Sequence, residues 1–157
     1  MLESCTTALE RWGGVNQLVD RWLSERKELI SEYIALRDRT PPDTLPDQAL
    51  KSFCDVLVDY VSAGHFEVYE QLIREAEAFQ NERGLELARQ VYPRIETITE
   101  SAVTFNDRYA DSSNGVDEPD MQARLHTLGA LLHERFELED CLIECLHNAN
   151  QAELEAS

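Results

Sequence analysis

Apolar residues recur along most of this chain at the three- and four-residue spacing of an amphipathic helix, and no stretch alternates as a strand would. Residues 4–38 read as a first helix, with Val15, Leu18, Val19, Trp22, Leu23, Leu29, Ile30, Tyr33, Ile34 and Leu36 in register. Its stripe covers about half the circumference, so this helix is expected to touch more than one neighbour. Gly13-Gly14 weakens its start, at about 1 kcal/mol per Gly relative to Ala. Three prolines in residues 40–46 end it, since none can continue a helix. Asp47 is placed to cap a second helix over residues 48–79. A turn at residues 81–84 leads to a third helix, whose Ala88, Val91, Ile95, Ile98, Ala102, Phe105 and Tyr109 share a face. Pro93 either kinks that helix or divides it in two. Residues 111–115 form a loop, and Asp117-Glu118-Pro119 opens a last helix reaching about residue 150. Its stripe is Leu128, Leu131, Leu132, Phe136, Leu138, Leu142, Ile143, Leu146 and Ala149. The expected architecture is all-α: an antiparallel helical bundle of four main helices with short connecting loops, one domain over residues 1–150. Residues 151–157 make a flexible polar tail.

The second helix carries two marked faces. At about 100° per residue, Phe53, Leu57, Tyr60, Val61, Gly64, Val68 and Leu72 line one side as a core stripe. Asp55, Asp59, Ser62, Phe66, Tyr69 and Ile73 line the other. Acids, a hydroxyl, aromatics and an isoleucine together make a mixed face of the kind that binds a partner. The same pattern also arises if Phe66, Tyr69 and Ile73 touch another helix of the bundle. Ser62-Ala63-Gly64 allows a close helix approach or a bend. Three charges interrupt apolar stripes elsewhere. Arg26 falls within the stripe of the first helix, so it must meet an acid, line a groove, or snorkel to water. Arg135 and Glu139 fall within the last stripe four residues apart, where they can pair. Such a pair points to specificity or a groove lining more than to stability.

A chain of 157 residues is long enough to bury a core without disulfide or metal. Its 31 acidic and 14 basic residues leave a net charge of −17. That field repels phosphates, so no direct nucleic-acid contact is expected, and it draws cationic partners in. The four cysteines, Cys5, Cys54, Cys141 and Cys145, form no CxxC pair and read as buried free thiols. Glu3 and the lack of an apolar segment near it speak against a signal peptide. No apolar run approaches the ~20 residues of a membrane span. A cytoplasmic protein without membrane contact is expected. Catalytic and metal motifs occur only as fragments. Glu144-Cys145-Leu146-His147 is a single Glu-x-x-His, an element that di-iron bundles use twice. His133 and Glu137 have chelating spacing, but with Glu144 they point away from the core stripe. His65 and His126 read as surface or boundary residues. There is no phosphate loop and no nucleophile elbow, and a cysteine nucleophile would lack an electropositive setting. The expectation is a helical binding module without cofactor or metal and without enzymatic activity; a bundle holding a metal or small ligand is the alternative.

Several segments resemble the Rsd/AlgQ family. They are Leu18-Val19-Asp20-Arg21-Trp22-Leu23 with Arg26 after it, Phe53-Cys54, the stretch from Leu57 through Asp59-Tyr60-Val61-Ser62-Ala63-Gly64-His65-Phe66, and Arg135-Phe136-Glu137-Leu138-Glu139-Asp140. Glu10-Arg11-Trp12-Gly13-Gly14 looks closer to the AlgQ branch of pseudomonads than to the enteric Rsd branch. The resemblance implies an all-helical anti-sigma factor acting on transcription in stationary phase. It implies binding to the primary sigma factor through region 4, the basic helix-turn-helix domain that reads the −35 promoter element and docks on core RNA polymerase. It also implies that Asp59 contacts a basic residue of that domain. AlgQ-type members are further associated with alginate and siderophore genes. The residue pattern agrees: an acidic face suits a basic partner, with Phe66 and Tyr69 supplying affinity and Asp59 the register. Asp55, Ser62, Ile73, Arg26, Arg135 and Glu139 are the further candidate partner-binding residues. A monomer is expected when free, with a homodimer through Phe66, Tyr69 and Ile73 as the alternative.

Overall fold

The chain was analysed as a computed structural model that describes residues 17–38, 47–111 and 117–148. The apolar stripes fold into five α-helices among the described residues: α1 (Gln17–Arg37), α2 (Asp47–Ala63), α3 (Tyr69–Ala78), α4 (Glu82–Tyr109) and α5 (Glu118–Leu142). The described residues contain no strand. The expected Gly13-Gly14 weak point, the proline-rich connection 40–46, Cys5, most of the loop 111–115 and the tail 151–157 lie outside the described residues. No described helix is long and apolar enough to cross a membrane.

The helix expected over residues 48–79 is two α-helices joined by a π-helical turn, Gly64–Val68. In that turn the backbone bonds reach five residues back, as Tyr69 N–H does to the Gly64 carbonyl. The turn therefore absorbs about one extra residue, and everything after it is rotated by about 100° relative to an unbroken α-helix. Gly64 is needed for another reason. A Cβ there would lie 3.0 Å from Trp22 Cζ2, so the indole of α1 seats directly on the backbone of the turn.

α4 begins at Glu82, not after residue 84. The reversal before it falls on Gln80, a non-glycine residue at φ 57°, and on Asn81. The Asn81 side chain accepts from Gly84 N–H at 2.9 Å and donates to the Cys145 carbonyl at 2.8 Å. It thus caps α4 and ties it to the end of α5. Pro93 lies inside α4, which runs through it as one helix. At α5, Asp117 accepts from Asp120 N–H at 3.3 Å and Pro119 occupies the first turn, as the sequence leads one to expect. α-Helical bonding stops at Leu142, short of residue 150, and passes into a second π-helical turn, Ile143–Asn148.

α1 packs on α2, α2 on α4 and α4 on α5, and α1 also touches α5. The predicted stripes meet in the middle. Trp22, Leu29, Phe53, Leu57, Tyr60, Val61, Val68, Leu72, Ile95, Ile98, Leu132 and Phe136 are all buried. Val91, Leu131 and Leu138 are half-buried at the margins. One contact fixes how close α1 comes to α5: the Tyr33 ring lies against Gly129, where a Cβ would fall 2.0 Å from its hydroxyl oxygen.

Candidate partner-binding site

The outer face of α2 carries Asp55 and Asp59, both exposed, with Ser62 half-buried beside them. Its neighbours add more acid. Glu25 of α1 sits close enough to Asp59 and to Glu67 of the π-helical turn for their charges to act on its carboxyl. Partial burial, then Asp59 and Glu67, hold the Glu25 pKa above its ordinary value; Arg21 opposes them and Glu28 adds to them. Ile73 is half-buried on α3. The side chain of Phe66 lies outside what the structure describes.

Tyr69 does not join this face. The wheel that aligned it with Asp55 and Asp59 assumed an unbroken α-helix, and the π-helical turn rotates it into the core, where it is 2 % exposed. There its hydroxyl donates to Glu139 Oε2. Glu139 is fully buried and is the hub of a polar network. Its Oε1 accepts from Tyr60 Oη at 2.6 Å and from Arg26 Nη2 at 3.4 Å. Its Oε2 also lies 3.5 Å from Arg135 Nε. Arg26 donates from Nε to Tyr60 Oη at 2.9 Å and from Nη1 to Asp140 Oδ1 at 2.6 Å. Burial disfavours the Arg26 charge, but Tyr60, Glu139 and Asp140 more than offset it and the pKa is raised. Arg135 donates from Nη2 to the Val61 carbonyl at 3.4 Å, while its Nε and Nη1 are buried without a hydrogen bond. Aromatic faces sheath both guanidinium groups. Arg26 Cζ lies 4.8 Å from the Phe136 ring centre, and Arg135 Cζ lies 5.8 Å and 5.9 Å from those of Tyr60 and Tyr69. The Trp22 ring stacks on Tyr60 at 5.1 Å and donates from Nε1 to the Tyr60 carbonyl at 3.2 Å.

Arg26, Arg135 and Glu139, expected to touch a partner, therefore lie wholly inside the protein. Two arginines against Glu139 and Asp140 balance in charge, which is what makes their burial tolerable. The network joins α1, α2, α3 and α5 beneath the segment that carries Asp59.

Comparison with known proteins finds relatives over nearly the whole chain. The family described as "Regulator of RNA polymerase sigma(70) subunit, Rsd/AlgQ" matches residues 1–147. A protein named Regulator of sigma D from Yersinia enterocolitica is 36% identical over 157 residues, covering 97% of this chain and 93% of its own length. Its namesake from Enterobacter sp. strain 638 is 39% identical over 150 residues, covering 91% and 88%. The one from Yersinia pseudotuberculosis serotype O:1b is 34% identical, covering 97% and 92%. This chain belongs to the Rsd/AlgQ family.

In this Rsd/AlgQ protein the segment Asp59-Tyr60-Val61-Ser62-Ala63-Gly64-His65-Phe66 spans the end of α2 and the start of the π-helical turn. The roles of three residues in the neighbourhood were not legible in the sequence. Glu25 carried no signal, because only the packing of α1 on α2 brings it beside Asp59. Asp140 and Tyr60 join the network as partners that a charged residue in a stripe demands but does not name. Of the histidine fragments, Glu144-Cys145-Leu146-His147 ends in a side chain outside what the structure describes. His133 Nε2 lies 2.7 Å from Glu137 Oε1, the two pairing with each other. His65 Nδ1 lies 3.0 Å from Tyr92 Oη. Among the described residues, no three His, Cys, Asp or Glu side chains are grouped to hold a metal. Cys54 is buried, and burial, then Asp55, push its thiol up to about 12. Cys141 and Cys145 are free thiols but exposed, against the expectation of burial, because the end of α5 and the turn after it present them outward.

Proposed function

We propose that this Rsd/AlgQ protein is a cytoplasmic anti-sigma factor that binds region 4 of the primary sigma factor. Held in this way, region 4 can neither dock on core RNA polymerase nor read the −35 promoter element. No catalytic step is needed. The observation that carries the reading is the exposed pair Asp55 and Asp59 on α2, in a chain of charge −17, with Asp59 inside the segment that resembles the family. Relatives named Regulator of sigma D support it. A basic helix laid along α2 would meet carboxylates from α1, α2 and the π-helical turn, and charge complementarity of this kind sets register and speeds encounter. Ser62 flanks the acids as a secondary contact, Ile73, turned away by the same rotation as Tyr69, is kept only as a peripheral contact, and Phe66 is retained as a contact by its place in the segment. Tyr69, Arg26, Arg135 and Glu139 hold the platform from inside instead of touching the partner. The platform itself we read as an antiparallel bundle of four rods, with α2 and α3 counting as one. The free chain is taken to be a monomer.

Co-elution of the full chain with region 4 tests this, wild type beside Asp59→Ala. The expected result is a one-to-one complex weakened by about 2–5 kcal/mol in the variant, with unchanged far-ultraviolet circular dichroism. An intact complex would keep the function and move the site. No complex from a folded wild-type chain would reject the reading, and the elution volume of the free chain reports whether it is monomeric.

A further inference from the structure

Cys141, in the last turn of α5, and Cys145, in the wide turn that follows, are exposed free thiols to which sigma binding gives no task. Between them the backbone leaves the α-helix at Leu142 and enters the wide turn at Ile143. A wide turn advances each residue by less than the ~100° of an α-helix. The four steps from Cys141 to Cys145 therefore complete close to one full turn. The two side chains stack along one edge of the rod, about 5–6 Å apart at Cβ. Two contacts anchor that edge. Leu142 and Ile143 are buried beneath it. The Cys145 carbonyl accepts from Asn81 Nδ2 at 2.8 Å, and Asn81 in turn caps α4.

That spacing selects the chemistry. A disulfide needs its Cβ atoms about 3.5–4.5 Å apart, closer than a helical turn brings them, so oxidation would have to unwind the segment that Asn81 holds. A metal ion reaches further. With bonds of about 2.3 Å to each sulfur, two thiolates on one ion lie up to about 4.6 Å apart. Thiolate sulfur selects soft ions. We propose that Cys141 and Cys145 form a two-thiolate site for a soft monovalent cation, copper(I), held between the two sulfurs. Zinc takes four ligands, and among the described residues no third His, Cys, Asp or Glu side chain is grouped with the pair. Copper(I) is satisfied by two. The surroundings suit a cation: Glu137, one turn before Cys141, and Glu144, next to Cys145, are exposed carboxylates. They are ill suited to thiol exchange, because burial first, then Cys145, Asp140, Glu144 and Glu137, hold the Cys141 thiol above its ordinary value. On binding, each thiol releases its proton to water as its sulfur takes the metal, and no electron is transferred. The site is independent of the sigma-binding reading.

The probe is copper(I) itself, added without oxygen to the reduced full chain against a competing chelator. The expected result is one ion held per chain, with the ultraviolet sulfur-to-copper absorption of thiolate ligands and a thermal midpoint raised by the bound ion. Cys141→Ser and Cys145→Ser, both at exposed positions, should each weaken binding at least about 100-fold, the upper end of what losing an outer-shell partner of a metal costs. Each should also abolish the rise in midpoint, with circular dichroism unchanged. Cys5→Ser and Cys54→Ala should bind as wild type does. Copper held as tightly by Cys141→Ser or Cys145→Ser as by wild type overturns the proposal. So does a loss of binding in Cys5→Ser or in a folded Cys54→Ala, which would make another thiol the ligand, and so does one ion shared between two chains.

Discussion

Glu139 shows how a single buried carboxylate organises its surroundings. It draws hydroxyls from Tyr60 and Tyr69 and shares its charge with Arg26 and Arg135. Removing it leaves two guanidinium groups in the interior with Asp140 as the remaining acid on Arg26. Glu139→Ala should therefore cost about 3–5 kcal/mol, the range for breaking a buried pair from one side. Tyr69→Phe takes away one donor and leaves the charges paired, so about 1–3 kcal/mol is expected. Urea unfolding of both variants measures the difference. Equal losses would mean that Glu139 does not hold the charges together. Arg26, Arg135 and Glu139 were visible in the sequence as charges inside apolar stripes. Their direction was not, since a charged residue in a stripe can point into a groove or into the core, and only the partner elements decide.

The π-helical turn is what separates the two faces of the central rod. Before it, an ideal wheel places every residue correctly: Phe53, Leu57, Tyr60 and Val61 inside, Asp55 and Asp59 outside. After it, the rods are offset by about one residue's rotation: Val68 and Leu72 are buried as the wheel places them, and Tyr69, which the wheel puts outside, joins them in the core. Deleting the exposed Glu67 should convert the turn to ordinary α-helix while leaving Val68, Tyr69 and Leu72 facing inward, because the rotation lost equals the residue removed. The variant is expected to unfold in a single cooperative transition, with helix content near wild type by circular dichroism. A molten chain would mean that the wide turn is required in its own right, for instance to seat Trp22 on Gly64.

The whole molecule carries 17 more negative than positive charges, and the acids facing outward from α2 and its neighbours belong to that field. Its range is about 10 Å at 0.1 M salt and about 3 Å at 1 M. Association with region 4 should therefore slow steeply as salt rises, while dissociation, governed by close contacts, changes less. Stopped-flow rates across a salt series give both numbers. Association indifferent to salt would argue that an apolar patch, and not the acidic face, captures the partner.

Period and spacing along the chain were enough to determine the helical character, the buried stripes, the start of the last helix at Asp117-Glu118-Pro119 and the outward acids of α2, because each follows from the 3.6-residue repeat and from preferences acting on near neighbours. The length of a proline-containing helix, the left-handed Gln80 and the wide turns at Gly64 and Ile143 were settled only in three dimensions. There, seating an indole on a glycine backbone or bonding two helix ends through Asn81 outweighs local preference. The two decisive placements were both tertiary: Tyr69 turned inward to a carboxylate on α5, and Glu25 brought against Asp59. Each joins residues far apart in the chain, and no local pattern encodes which charges will meet when the helices pack.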